Sequence, residues 1–260
     1  MDNWQITEFS EFPKLNDPVF IEGLPGIGNI GKISVDFIIQ ELKAKKMISF
    51  FSYSLPNTVF VNEKNLVDLP DISLYHLKVK KVDLLILAGD IQPLDEVSSY
   101  KFCEIILDIC KSHNVKEIIT IGGVGLQEIP KSPKVYCTAN SKNIIDRYKD
   151  GNKLETRLFG KIGPIMGVSG LLLGMAKKRD IEGIGFLAET YGHPFYSGVN
   201  GAKKVLVILN KRFGLNIDLN KLSAEESDIE HILMKKAEQM IKASRSDKLN
   251  KDNPNADYIG

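Results

Sequence analysis

Arginine is scarce in this chain, occurring only at Arg147, Arg157, Arg179, Arg212 and Arg245, while lysine supplies most of the positive charge. Guanidinium forks grip phosphate in a bidentate manner, so a phosphate-clamping surface is poorly provided for. Net charge is lacking too, at +1 across 260 residues. That balance offers no electrostatic footprint for nucleic acid or an anionic membrane. Apolar runs long enough to span a bilayer are absent. Met1-Asp2-Asn3-Trp4-Gln5 has neither a basic cap nor an apolar stretch, so no secretory signal is expected. The three cysteines, Cys103, Cys110 and Cys137, cannot all pair within the chain. Cys103 and Cys110 share a helical face with Ile106 and Leu107 and read as small buried residues in a reducing compartment. A cytoplasmic protein with no nucleic-acid or membrane partner is expected.

What is present is an ordinary globular composition, 43% hydrophobic and 26% charged. Residues 18–24 read as a buried strand, followed by a glycine-rich turn and a helix over about 29–45. Short β-type runs follow at 47–54, 58–61, 66–69 and 72–79, separated by Pro56-Asn57 and Pro70-Asp71, which predicts antiparallel strands. Residues 82–89 and 117–122 are apolar almost throughout, as strands covered on both faces are, with a helix over about 95–113 between them. A strand at 135–139, a short helix at 143–148, a tightly packed helix at 168–178, a strand at 183–190 and a helix at 201–213 complete the alternation. The pattern predicts an α/β layered domain whose mixed, largely parallel central sheet is flanked by helices.

The expected organisation is an α/β domain over 1–220, an amphipathic helix over 221–246 and a flexible tail over 247–260. Ser223-Ala224-Glu225-Glu226 forms a capping box opening that helix. Ile229, Ile232, Leu233, Ala237, Met240 and Ile241 form its apolar stripe, and at 1.5 Å per residue it is roughly 35 Å long.

Gly26-Ile27-Gly28-Asn29-Ile30-Gly31 matches G-x-G-x-x-G between a strand and a helix, the context a dinucleotide-binding loop requires. The acidic residue expected about 20 positions later is missing from Ile48–Ser54. The same stretch approaches a P-loop, with Lys32 in register, but Ile33 stands at the magnesium-binding hydroxyl position and Ser34 is one residue late. Each pattern fails at a residue with a chemical task. Small residues also let a helix begin close beneath a strand, and that structural reading is favoured.

Gly122-Gly123-Val124-Gly125, after a strand, could present backbone N–H groups to an anion. Glu189 and His193, with Asn29 and Asp90, could line a small-molecule pocket and support acid–base work. A nucleoside- or nucleotide-binding enzyme or sensor built on Gly26, Gly28, Asn29, Gly122, Gly123 and Glu189 is therefore the alternative function. No nucleophile elbow, metal-ligand pair or complete catalytic set accompanies these residues, so no catalytic residue, metal or cofactor is assigned. His76, His113 and His231 read as surface or capping residues.

Gly23-Leu24-Pro25-Gly26-Ile27-Gly28-Asn29-Ile30-Gly31, Ile121-Gly122-Gly123, Gly163-Pro164-Ile165-Met166-Gly167-Val168-Ser169-Gly170-Leu171-Leu172-Leu173 and Leu187-Ala188-Glu189-Thr190-Tyr191-Gly192 occur in that order. Together they resemble archaeal members of the proteasome assembly chaperone family over about residues 15–215. The resemblance implies a nucleoside-phosphorylase-like fold without established enzymatic activity. It also implies homo-oligomers that bind proteasome α-subunits or the α-ring, with a related family member as a further partner. Some members engage the ring through a C-terminal hydrophobic–tyrosine–any-residue motif. Here Tyr258 is third from the end and Ile259 penultimate, so the match is offset by one position. Tyr258, Ile259 and Gly260 are the expected partner contacts. The terminal carboxylate would pair with a pocket lysine while Tyr258 and Ile259 fill apolar space.

Overall fold

A computed structural model describes residues 4–160, 162–194 and 196–222. The elements run β1 (Gln5–Glu8), β2 (Val19–Gly23), a 3-10 turn (Ile27–Asn29), α1 (Ile30–Leu42), β3 (Lys45–Phe51), β4 (Phe60–Val61) and β5 (Val67–Asp68). They continue with β6 (Ile72–Val79), β7 (Val82–Gly89), α2 (Glu96–Ser112), β8 (Glu117–Leu126), β9 (Val135–Ala139), α3 (Lys142–Lys149), α4 (Val168–Lys177), β10 (Glu182–Tyr191) and α5 (Val199–Phe213). Eight strands form one sheet in the order β1-β3-β6-β7-β2-β8-β10-β9, while β4 and β5 pair only with each other.

The centre of the sheet, β7-β2-β8-β10, is parallel, and β6, β3, β1 and β9 extend it antiparallel. The expected mixed, largely parallel sheet is therefore present. Strand β1 was not foreseen. All of its residues are exposed, so it carries no apolar alternation to reveal it.

Two apolar layers explain why the central strands are hydrophobic on both faces. On one side Ile21, Ile86, Ile119, Ile121 and Phe186 pack with α1 and α5. On the other, Phe20, Leu85, Leu87 and Ile118 pack with α2 and α4, which contribute Phe102, Ile106, Leu172 and Ala176. All three cysteines are unpaired and buried within these layers. Burial pushes the Cys137 thiol up to about 11, opposed by the Lys149 charge, and raises the other two thiols further. These are packing residues rather than nucleophiles. Among the described residues no helix is long and apolar enough to cross a membrane.

Helix α1 starts close beneath the sheet because glycines leave room for it. A Cβ on Gly31 would lie 2.6 Å from the Ile121 carbonyl oxygen, and one on Gly123 would lie 2.1 Å from the Ile27 carbonyl oxygen. Both obstacles are backbone, which cannot rotate away. By contrast, Gly26 is extended and a Cβ there meets nothing within 4 Å. We expect Gly123→Ala to lower the unfolding free energy by roughly 3 kcal/mol through overpacking, and Gly26→Ala to change it by less than about 0.5 kcal/mol. Urea denaturation of the two variants checks this, and equal effects would refute the packing account.

Candidate functional site

Parallel α/β sheets offer ligands the crevice beyond the carboxyl ends of their strands. Here that edge gathers the turn after β2, the ends of β8 and β10, and the loop entering α5. Sequence reasoning placed Gly26, Gly28, Asn29, Gly122, Gly123 and Glu189 there, and the fold does bring them to one edge.

The geometry, however, fills this edge with the protein's own chain. Gly28 and Asn29 are left-handed, at φ 65° and 51°. A Cβ on Gly28 would stand 2.5 Å from Thr190 Oγ1, and the Gly28 carbonyl accepts the Gly198 N–H at 2.7 Å. Thr190 Oγ1 is buried and has no hydrogen-bond partner among the described residues. Asn29 is exposed, and its side chain does not cap α1.

The expected anion nest at Gly122-Gly123-Val124-Gly125 is corrected by the structure. These residues are not a loop: β8 continues through them to Leu126, in parallel register with β10 as far as Tyr191. Three of the four residues are glycine and only Val124 carries a Cβ, so the stretch reads as a turn by composition. Its glycines serve close packing, with Ile27 against Gly123 and Gly192 against Gly125.

Lys32, the P-loop-like lysine, is also committed elsewhere. Its Nζ lies 3.0 Å from Asp36 Oδ2 and 3.1 Å from Asp90 Oδ1, and it donates to the Gly89 carbonyl at 3.2 Å. Asp90 in turn accepts the Asp71 N–H at 3.1 Å. Burial would raise the Asp71 carboxyl, but hydrogen bonds from Lys46, Ser73 and Ser49 outweigh it and hold the group low. At Asp36 burial wins over Lys32, and the carboxyl is raised. The cluster fastens α1 to β3, β6 and β7.

Glu189 is engaged by the protein's own groups. Its Oε2 accepts the Lys134 N–H and its Oε1 accepts the Tyr136 hydroxyl, each at 2.9 Å, which ties the start of β9 to β10. His193 stacks on Tyr191, ring centroids 5.6 Å apart. His76, expected at the surface, lies 2.7 Å from buried Asp83. Among the described residues no group of three or more His, Cys, Asp or Glu is placed to hold a metal ion. Tyr258, Ile259 and Gly260, His231 and the helix expected over 221–246 beyond Leu222 lie outside the described residues.

Sequence reasoning overlooked two features. The first is Glu22, which is wholly buried on β2. Its Oε1 accepts the Leu24 N–H at 2.9 Å, while Oε2 has no partner among the described residues. Burial raises this carboxyl to about 7 against the opposing pull of the Leu24 N–H. The second is apolar surface. Val59, Phe60, Val61, Leu66, Val67 and Leu69 on the β4–β5 hairpin are all exposed, as are Tyr53, Leu94, Phe159 and Met166. The apolar runs at 59–61 and 66–69 read as ordinary strands, and no local pattern marks them as uncovered.

Comparisons with known proteins agree with this geometry. Residues 20–237 match the model of the PAC2 family. An uncharacterized protein of Methanocaldococcus jannaschii is 32% identical over 250 residues, covering 93% of this chain and 94% of that protein. The crystal structure of PbaB of Pyrococcus furiosus, an archaeal proteasome activator, is similar with a TM-score of 0.81 and 33% identity, over 90% of this chain and 99% of that one. PbaA of the same organism, an archaeal homolog of proteasome-assembly chaperone, is similar with a TM-score of 0.70 and 26% identity, over 94% and 97%.

Glu22 makes stability pH-dependent in a defined sense. Below its ordinary value of 4.5 the carboxyl is neutral in both the folded and unfolded chain. As pH rises, the unfolded chain ionises first, so stability falls until the folded carboxyl ionises near pH 7. Between pH 5 and pH 8 the native chain should lose roughly 3 kcal/mol more unfolding free energy than Glu22→Gln does. Urea titrations at the two pH values measure the difference, and parallel losses would show that Glu22 is not held neutral.

Proposed function

Because this chain belongs to the PAC2 family, we propose that it acts on the proteasome as a non-enzymatic, self-associating adaptor that aids assembly or activity. The observation that carries this reading is the likeness to an archaeal proteasome activator, 33% identical along 90% of the chain. The packed carboxyl edge supports it, since Gly28, Gly31 and Gly123 of the nucleotide-like loops have structural work to do. Contact with α-subunits is made by the last residues, with Tyr258 and Ile259 entering apolar space between neighbouring subunits. One such segment binds weakly, because ordering it costs entropy. Several copies on one assembly raise the effective concentration and make ring binding practical.

The test is capture of proteasome α-subunits by the full chain, by a chain ending at Ser246, and by Tyr258→Ala. The full chain should retain α-subunits, with at least a tenfold loss in the other two. Equal capture by all three forms would remove the segment from the mechanism. A thermal-shift panel of nucleosides and nucleotides should give no saturable stabilisation, whereas a ligand present well above its Kd would raise the Tm. A saturable rise would restore the small-molecule reading.

A further inference from the structure

The β4–β5 hairpin is unlike the rest of the domain. β3 and β7 both run antiparallel to β6, so the hairpin, inserted between β3 and β6, leaves the sheet at its carboxyl edge. It belongs to no larger sheet, and each of its strands is two residues long. An isolated ribbon of this kind is marginal in water. Nevertheless its turn is well fastened. Asn62 Oδ1 accepts the Lys64 and Leu66 N–H groups at 3.0 Å, and Asn62 Nδ2 donates to Asp68 Oδ2 at 2.9 Å. A fixed turn thus presents side chains that water does not favour: Val61 is 69% exposed and Val67 66%.

At the opposite end of the sheet lies a concavity. A groove of about 450 Å³ runs between α4 and β9, lined by Ala139, Ile165, Gly170, Leu173 and Gly174, with Lys177 among its lining residues. Gly174 sits inside α4, where glycine is less favourable than alanine. A Cβ there would meet nothing within 4 Å, so the fold itself gives no reason for its absence. Met166, next to Ile165, is 83% exposed.

We propose that the β4–β5 hairpin of one copy seats in the α4–β9 groove of the next. This rests on the self-associating reading above and names the surfaces that carry it. Three observations favour a second copy as the occupant. The hairpin's apolar side chains present on the order of 600 Å² per copy, close to the roughly 800 Å² per partner of a stable specific interface. Charges also match, because the hairpin carries Glu63, Lys64 and Asp68, a net negative charge, and among the described residues the charged one lining the groove is Lys177. Finally, projection and concavity are about 25 Å apart, five strand spacings across the sheet. Such a head-to-tail contact repeats from copy to copy and generates a ring where the rotation closes. Hairpin pairing with hairpin would join strands only two residues long and leave the groove open.

Native mass measurement of the full chain, Val61→Asp/Val67→Asp and Gly174→Trp tests this. All three sites face solvent, and circular dichroism with Tm measurement verifies that each variant folds. The native chain should assemble, and each variant alone should run as a monomer. An equimolar mixture of the two variants should form dimers and nothing larger, since one intact hairpin then meets one intact groove. If Gly174→Trp keeps its assembly while the hairpin variant dissociates, the hairpin seats elsewhere and the proposal is overturned. It is likewise overturned if the hairpin variant keeps its assembly, whatever Gly174→Trp does, although self-association then stands. A monomeric native chain defeats both. Capture of α-subunits by the hairpin variant is followed in parallel. If that capture fails while the mass stays that of the full assembly, the hairpin docks on the proteasome and the proposal is again overturned.

Discussion

A close backbone approach between the turn after β2 and the end of β8 organises the carboxyl edge. Gly123 and Gly31 allow the Ile27 and Ile121 carbonyls to sit where a Cβ would otherwise be. The approach needs glycine at 123, which β8 supplies where it continues beyond its apolar half as Gly-Gly-Val-Gly-Leu. Once the turn rests on β8, Thr190 fills the space above Gly28 and Gly198 hydrogen-bonds to it. The crevice that other parallel sheets leave open to ligands is here taken up by the chain itself.

Charge at this edge follows from the same crowding. Lys32 cannot turn toward the glycine turn without giving up its ion pairs with Asp36 and Asp90 and its hydrogen bond to the Gly89 carbonyl. Glu22 is the opposite case, a carboxyl sealed in the apolar layer under α4 with no cation among its hydrogen-bond partners. Burial therefore favours its neutral form. Hydrogen bonds hold the Asp71 carboxyl low despite its burial, whereas at Glu22 burial prevails.

The fold was legible where side chains carry a pattern. The doubly covered strands at 82–89 and 117–122, the helices and the antiparallel run at 72–79 could all be read from apolar periodicity. Legibility failed where the pattern is carried by backbone or by exposure. Gly122–Gly125 looked like a loop because glycine offers no face to alternate, and β1 was missed because all of its residues face solvent. At the candidate site, the glycine motif was correctly located, and its structural role was anticipated from the missing acidic and hydroxyl positions. The burial of Glu22 was not, because a charged residue in an apolar strand reads as an interruption rather than a buried group. The hairpin's exposure depends on the absence of a covering layer, which no local window reveals.

Two kinds of contact with different thermodynamics are combined in one chain on this view. An apolar hairpin fixed by Asn62 loses little conformational freedom on docking, so most of its buried area is available as affinity and the contact is suited to permanence. The proposed partner contact, by contrast, rests on one tyrosine and one isoleucine per copy, an area too small to hold tightly alone. An adaptor needs both. Were the self-contact as weak as the partner contact, copies would separate before enough of them engaged the ring together, and the multiplication of weak contacts would be lost. Were the partner contact as strong as the self-contact, release would become slow and the partner could not be exchanged. The division between a rigid apolar ribbon and a polar, tyrosine-bearing end is therefore what the proposed role requires of the sequence.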